Sequence, residues 1–377
     1  MNMDIIHIII ALVVVTNVLI WSCILLLPWK PWDTAQELDA SPHLADADLS
    51  DVTVLIPARN EEKTIEQCLT SLLDQGKGLN IILVDDQSTD RTVEIAQERC
   101  GDSIKIIRGL DLPRGWTGKL WALDQGLKHV TTGKTLLMDA DIVLEPATIA
   151  TALAAKEQYG LNMISLMAWL SMQGFFEKLL MPAFVYFFKL IYPFRLANFK
   201  KSRIAAAAGG FILVDTDALR KIGAFQCIKN EIIDDCALAK RLKTAGYATW
   251  TGLTHSVKSI RRYEGLGGIW DMVARTAFVQ LRHSLFLLLC VTVLMIVMFY
   301  GHIAGLCCGG FVIWALSWIG LTLMLVTYLP ILSYYRLSFA WALALPVTAT
   351  LYLMMTWSSA FREWRGHGAC WKGRSYN

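Results

Sequence analysis

Long stretches of this chain carry no charge. Residues 5–27, 284–335 and 337–361 contain no Asp, Glu, Lys or Arg. About 20 apolar residues are enough to cross a bilayer. With 55% hydrophobic residues, only 18% charged ones and a mean hydropathy of +0.43, the chain is too apolar for a purely soluble enzyme. Two further absences narrow the reading. None of the nine cysteines forms a Cys-x-x-Cys pair, and Cys307-Cys308 sit inside an apolar run, so neither a zinc site nor a disulfide framework is indicated. There is also no large basic surplus. The formal net charge is +3 and the basic residues are scattered, which argues against a nucleic-acid partner.

The uncharged runs set the outer frame. Residues 5–27 read as a retained N-terminal anchor, within a segment 1–28. A cleaved signal peptide competes with that reading, but no basic residue precedes the run and no small-x-small cleavage site follows it. Residues 29–50 hold prolines and several acids and read as a linker. The run 284–335 is long enough for two spans turning near Cys308-Gly309-Gly310, and 337–361 supplies another, with Pro346 placed to kink it. Residues 284–361 thus hold about three spans, ahead of a basic tail at 362–377. An outside N-terminus puts residues 28–283 in the cytoplasm. Three later spans would then send the basic tail outside, against the positive-inside tendency, unless one run is re-entrant.

Between the anchor and the spans lies an α/β pattern. Strand-like runs at 52–56, 81–84, 104–107 and 135–138 alternate with helix-like stretches at 63–74, 92–99 and 118–130. Asp90 is placed to cap the second of these helices. Such alternation predicts a parallel sheet with helices on both faces and ligands beyond the carboxyl ends of the strands. Polar motifs fall at three of those ends: the loop 57–61, the pair Asp85-Asp86, and Asp139-Ala140-Asp141. Two carboxylates at a strand end repel unless a cation sits between them, and oxygen ligands suit a hard ion such as Mg²⁺ or Mn²⁺ bound with a diphosphate. Alone, Asp-x-Asp is a weak motif. Three acidic or polar loops converging on one rim are not.

Further along, residues 171–194 are dense in Phe, Met and Tyr, and read either as an interfacial amphipathic segment or as a pair of core helices. Paired Gly209-Gly210 precede an apolar strand, allowing close backbone approach or a simple turn. Asp234 and Asp235 open a helix, where N-capping alone would explain them. As a third acidic pair in the same unit, they are also general-base candidates. Arg275, alone in an apolar helix, could snorkel to lipid headgroups or bind phosphate.

These motifs, in this order and spacing, resemble the family 2 glycosyltransferases: 54–61 (VLIPARNE), 84–90 (VDDQSTD), Asp139-Ala140-Asp141 and Asp234-Asp235. The resemblance covers about residues 51–283. More narrowly, 115–122 (GWTGKLWA), 182–184, 192–194, 205–210, 233–239 and 272–277 are similar to the hopanoid-biosynthesis-associated glycosyltransferases. The resemblance implies a GT-A (Rossmann-like) α/β fold flanked by transmembrane helices. It implies an inverting enzyme that moves a sugar from a nucleotide-sugar donor to a lipid acceptor, hopanoid-like, with biosynthetic partner enzymes. The expected setting is a bacterial inner membrane, with the catalytic domain cytoplasmic.

By the same resemblance, Pro57, Arg59 and Glu61 hold the nucleotide base and ribose, and Asp85 and Asp86 also contact the nucleoside. Lys119 lies near the donor, Asp139 and Asp141 bind the divalent metal (Mg²⁺ or Mn²⁺), and Asp235 is the general base with Asp234 beside it. Arg275 has the spacing of the arginine in the Gln-x-x-Arg-Trp motif of processive members. The Gln and Trp are missing here, with Thr276 in the Trp place, which argues against a polysaccharide synthase. The competing expectations are transfer to a carotenoid, a ceramide or a polyprenyl phosphate, or a catalytically silent scaffold. A transporter is disfavoured because the spans hold almost no ionisable residues.

Overall fold

The computed structural model describes residues 3–366, and the backbone of 370–371 and 374–375. The tail residue Lys372 lies outside the described residues. The chain forms two compact units. A sheet unit comprises residues 36–171 and 194–262, and a helical unit takes residues up to 35, 172–193, and the chain from 263 into the C-terminal spans.

The sheet unit carries eight strands: β1 Val52–Ala58, β2 Asn80–Asp85, β3 Ile104–Arg108, β4 Lys134–Met138, β5 Ile142–Leu144, β6 Met163–Trp169, β7 Phe211–Asp215 and β8 Thr249–Ser259. They form one sheet in the order β3-β2-β1-β4-β7-β6-β8-β5. Each of the first four strands lies at the position its apolar run predicts. Their side chains alternate between two cores. Val54 and Ile56 of β1 face one, with Ile65, Leu69 and Leu72 of helix Ile65–Leu73. Leu55 faces the other, with Leu120, Leu123 and Leu127 of helix Gly118–Leu127. A strand buried on both faces has to be apolar throughout, which is why β1, β2 and β4 read as unbroken hydrophobic runs.

The sheet is not wholly parallel. Strands β1 to β4 pair in parallel, but β7 runs antiparallel to β4 and β6, and β5 antiparallel to β8. This departure from the parallel expectation shapes the site. Antiparallel pairing sets Phe211, at the start of β7, beside Met138, at the end of β4. It also sets Ser259, at the end of β8, beside Ile142, at the start of β5. Segments before β7 and after β8 are thereby brought to the same rim as the ends of β1, β2 and β4.

The stretch read as a linker is partly built into this unit. Leu38 N donates to Leu253 O at 3.0 Å, and Leu253 N to Gln36 O at 2.8 Å. His255 Nδ1 then lies 2.6 Å from Glu37 Oε1 and 2.9 Å from Asp39 Oδ2.

The helical unit has four helices long and apolar enough to cross a membrane, at Asp4–Leu26, Leu285–Cys308, Phe311–Tyr334 and Phe339–Trp364. Small residues let them approach closely. A β-carbon on Gly320 would stand 2.2 Å from Asn17 Oδ1, and one on Gly305 would stand 2.1 Å from Ser317 Oγ. Asn17 Nδ2 donates to Val297 O at 2.9 Å and Met298 O at 2.8 Å. Pro346 lies inside the last of these spans, where a 3₁₀ stretch, Phe339–Ala344, gives way to helix Leu345–Trp364; it occupies the first turn of that helix, where a missing N–H costs nothing. Helix Phe175–Ile191 packs within this unit, where Tyr186 Oη donates to Thr327 Oγ1 at 2.9 Å and Leu180 O accepts from Tyr352 Oη at 2.8 Å.

Candidate active site

Three groups of polar side chains stand at the carboxyl rim of the sheet unit. The first is built on the loops after β1 and β2. Arg59 Nη1 donates to the carbonyl oxygens of Asp86 and Gln87 and lies 4.0 Å from Asp86 Oδ2. Asn60 N donates to Ser88 Oγ at 3.0 Å, and Thr89 N donates to Asn60 Oδ1 at 2.9 Å. Asp85 Oδ1 accepts from Ser88 N at 3.0 Å. The two loops are therefore stitched together. Asn60 and Gln87 both adopt left-handed backbone (φ 51° and 57°), an unfavourable conformation sustained by these cross-links.

The second group surrounds Lys119. This lysine lies in the first turn of helix Gly118–Leu127, where the helix dipole disfavours a cation. Three acids compensate. Lys119 Nζ is 2.8 Å from Asp139 Oδ1 and 3.6 Å from Asp234 Oδ2. Burial opposes its charge, but Asp139, Asp234 and Asp235 outweigh that and hold the ammonium well above the usual lysine range. Asp235 is fixed at both oxygens, with Oδ1 accepting from its neighbour Cys236 N at 2.7 Å and Oδ2 from Gly209 N at 2.9 Å. Burial and the adjacent Asp234 push the Asp235 carboxyl up to about 6, against the pull of Lys119 and the two N–H groups. A β-carbon on Gly209 would stand 3.0 Å from Lys119 Nζ, so the lysine tip would have to give, and in ordinary contact, 3.7 Å, with both Asp139 Oδ2 and Asp235 Oδ2. Pro57, Lys119, Asp139, Gly209, Asp234 and Asp235 all line one open pocket.

The third group centres on Asp141. Arg261 Nε donates to Asp141 Oδ2 at 2.7 Å, and Arg261 Nη2 lies 3.3 Å from Glu61 Oε1. Ile260 N donates to Asp141 O at 2.9 Å, extending the β5–β8 pairing just far enough to bring Arg261 there. Buried Cys68 reports the charge of this region. Its thiol is pushed far up by burial and then by the fields of Asp141, Glu61 and Asp139. Asp139 and Asp141 offer hard oxygens of the kind a divalent cation takes, and each is here engaged by a cationic side chain, Lys119 and Arg261.

Among the residues singled out in the sequence, Pro57, Lys119, Asp139, Asp234 and Asp235 share the pocket, and Glu61 joins Asp141 through Arg261. Arg59, Asp85 and Asp86 meet in the loops after β1 and β2. Arg275 belongs to the helical unit, in helix Leu266–Gln280. Sequence reasoning assigned no role to Arg261, which had only its basic character to mark it; of the two readings of Gly209, close backbone approach is the one found, with its N–H on Asp235. A separate trio, Glu37, Asp39 and His255, also gathers potential ligand atoms within 4.8 Å of one another. It is closed by its own ion pairs.

Residues 53–223 match the sequence model of the Glycosyl transferase family 2. The chain carries a family 2 glycosyltransferase domain. The structure of a mannosyltransferase from Pyrobaculum calidifontis, in complex with GDP-Man and Mn²⁺, superimposes with a TM-score of 0.60. That likeness covers 94% of this chain and 99% of the other at 16% identity, and shows a shared GT-A fold. Among curated proteins, a 4,4'-diaponeurosporenoate glycosyltransferase of Staphylococcus aureus (strain USA300) is 35% identical over 91 residues, 24% of each chain. The Staphylococcus haemolyticus protein of the same name is 35% identical over 111 residues, 29% of each chain. The match thus spans a quarter to under a third of those relatives' length. Within the glycosyltransferase domain, the matched segment includes Lys119, Asp139 and Asp141 and stops before Asp234 and Arg261.

Proposed function

We propose that this protein is an inverting membrane glycosyltransferase that moves a sugar from a nucleotide-sugar donor to a lipid acceptor of the hopanoid type. The observation that carries the reading is Asp235, held by two backbone N–H groups with its carboxyl near 6, in one pocket with Asp139 and Lys119. A base is most useful when its pKa lies near the working pH. Asp235 takes the proton of the acceptor hydroxyl as that oxygen bonds to the anomeric carbon. The bond from that carbon to the diphosphate oxygen breaks in the same step, so configuration inverts.

A divalent cation held by Asp139 and Asp141 would neutralise charge developing on the leaving diphosphate. Lys119 keeps Asp139 in place and adds positive charge on the same side. Arg59, Glu61, Asp85 and Asp86 lie on stitched loops suited to holding the nucleoside. No carboxylate is singled out as a nucleophile for double displacement. The four apolar helices support a multi-pass membrane setting and, with it, a lipid acceptor; we place the protein in a bacterial inner membrane with the domain cytoplasmic, where activated sugars are made. A second reading is favoured by the names of the Staphylococcus relatives: a carotenoid-type acid as acceptor.

The test offers detergent-purified protein a panel of radiolabelled nucleotide sugars with a total lipid extract, with EDTA and Asp235→Asn as controls. A labelled lipid that requires metal and is lost in the variant supports the reading, and its mass separates a hopanoid from a carotenoid. Absence of both turnover and metal-dependent donor binding would leave a non-catalytic scaffold as the better account.

A further inference from the structure

Arg261 touches two motifs assigned to different parts of the proposed donor. Its Nε binds Asp141 Oδ2 at 2.7 Å, and its Nη2 lies 3.3 Å from Glu61 Oε1. Asp141 belongs to the turn after β4. Glu61 belongs to the loop after β1, the loop stitched to Asp86 through Arg59 and Asn60. Both acids are largely buried, with side chains 11% exposed, whereas the Arg261 side chain is 38% exposed. Two largely buried carboxylates that meet at one guanidinium would repel without it. One planar cation reaching both relieves that repulsion and fixes their mutual orientation.

The chemistry of the fork matters here. A guanidinium presents several N–H donors in a fixed plane, so it can bind two acceptors at set angles, which an ammonium cannot do. By engaging Oδ2 of Asp141, Arg261 turns the other oxygen of that carboxylate away from itself. A ligating carboxylate is normally held in this way by a neighbouring donor, and loss of that donor typically weakens metal binding by about 10- to 100-fold. Glu61 is anchored from its own side as well, since Thr64 Oγ1 donates to Glu61 Oε2 at 3.1 Å. The contact therefore joins two braced carboxylates.

We propose that Arg261 is a positioning residue that couples the metal-binding turn at Asp141 to the nucleotide-binding loop at Glu61, so that metal and nucleoside diphosphate each strengthen the other's binding. The inference rests on the glycosyltransferase reading above. It adds a residue outside the segment that matches the family and assigns it a thermodynamic role. If one contact aligns both partners, whichever ligand binds first sets it for the second. The coupling is then reciprocal.

The full-length protein in detergent is titrated with Mn²⁺, followed by electron paramagnetic resonance. UDP and GDP are then titrated by calorimetry with and without Mn²⁺. Wild type should bind Mn²⁺ and bind one nucleotide more tightly in its presence. Arg261→Gln should weaken Mn²⁺ about tenfold and erase the effect of Mn²⁺ on the nucleotide. Glu61→Gln should keep Mn²⁺ affinity near wild type while reducing the coupling. Arg261→Lys, which keeps the charge without the fork, covers the case in which the glutamine variant does not fold; it should recover Mn²⁺ binding in part and leave the coupling impaired. Wild-type Mn²⁺ affinity and coupling in a folded Arg261→Gln overturn the proposal, as does tighter Mn²⁺ binding, which would make Arg261 a competitor. A wild type that binds neither Mn²⁺ nor nucleotide overturns the glycosyltransferase reading itself, an outcome distinct from either.

Discussion

Replacing Lys119 by Met tests the electrostatics of the site most directly. The substitution keeps the length of the side chain and removes its charge. Lys119 Nζ and Asp235 Oδ2 stand 3.0 and 3.7 Å from the point a β-carbon on Gly209 would occupy, so they are within about 7 Å of each other. At an effective dielectric constant near 20, unit charges at that separation interact by about 2 kcal/mol, which corresponds to between one and two pH units. Burial and Asp234 push the Asp235 carboxyl up to about 6, and the positive charge of Lys119 keeps it from rising further.

Without that cation, the carboxyl should rise to roughly 7–8. A general base works in its ionised form, so the rate climbs as pH rises through the pKa. Wild type should reach its plateau above about pH 7, and Lys119→Met only above about pH 8.5. The variant's deficit should therefore be several-fold larger at pH 6.5 than on the plateau. The assay is the initial rate of sugar transfer from pH 5 to 9.5 at saturating Mn²⁺, with Lys119→Arg as the charge-retaining control. An acid limb at the same pH in wild type and Lys119→Met would refute the reasoning, whatever the drop in plateau rate.

Other parts of the molecule give independent predictions. Gly209→Ala should lower kcat by up to about 10-fold, because the methyl group crowds the Lys119 ammonium away from Asp139; steady-state kinetics would show it, and an unchanged kcat would refute that crowding. Asp215→Asn strips buried Lys156 of its carboxylate at 2.5 Å and should cost about 3 kcal/mol, read as a lower Tm. Although burial opposes it, Lys156, Asn162 and Lys134 hold the Asp215 carboxyl below its usual range. Its stabilisation is therefore present above the unfolded value of 3.8 and lost as pH falls through the depressed folded value, a loss Asp215→Asn should abolish. Gly320→Val drives a side chain into Asn17 and should destabilise the helical unit by about 1–3 kcal/mol, detectable by thermal aggregation in detergent.

What the sequence determined by itself was whatever depends on local pattern. The three charge-free runs are too long and too apolar for anything but membrane-length helices, and they supply the four that form. The unbroken apolar runs of β1, β2 and β4 required burial on both faces, and that placed Arg59, Asp86 and Asp139 immediately after strand ends on one rim. Pairing direction was different, because it depends on partners far apart in the chain. Nothing local to 211–215 or 249–259 distinguishes a strand that runs antiparallel to its neighbour from one that runs parallel. Yet antiparallel pairing of β7 with β4 carries Gly209 to Asp235 and Lys119, and pairing of β8 with β5 carries Arg261 to Asp141. Pro346 shows the same limit on a smaller scale: the sequence marks a break in the span, and only the structure shows that the break is a change from 3₁₀ to α-helix. The acids of the site were legible because their motifs are contiguous. The cation and the glycine that orient them became visible only when the sheet had folded.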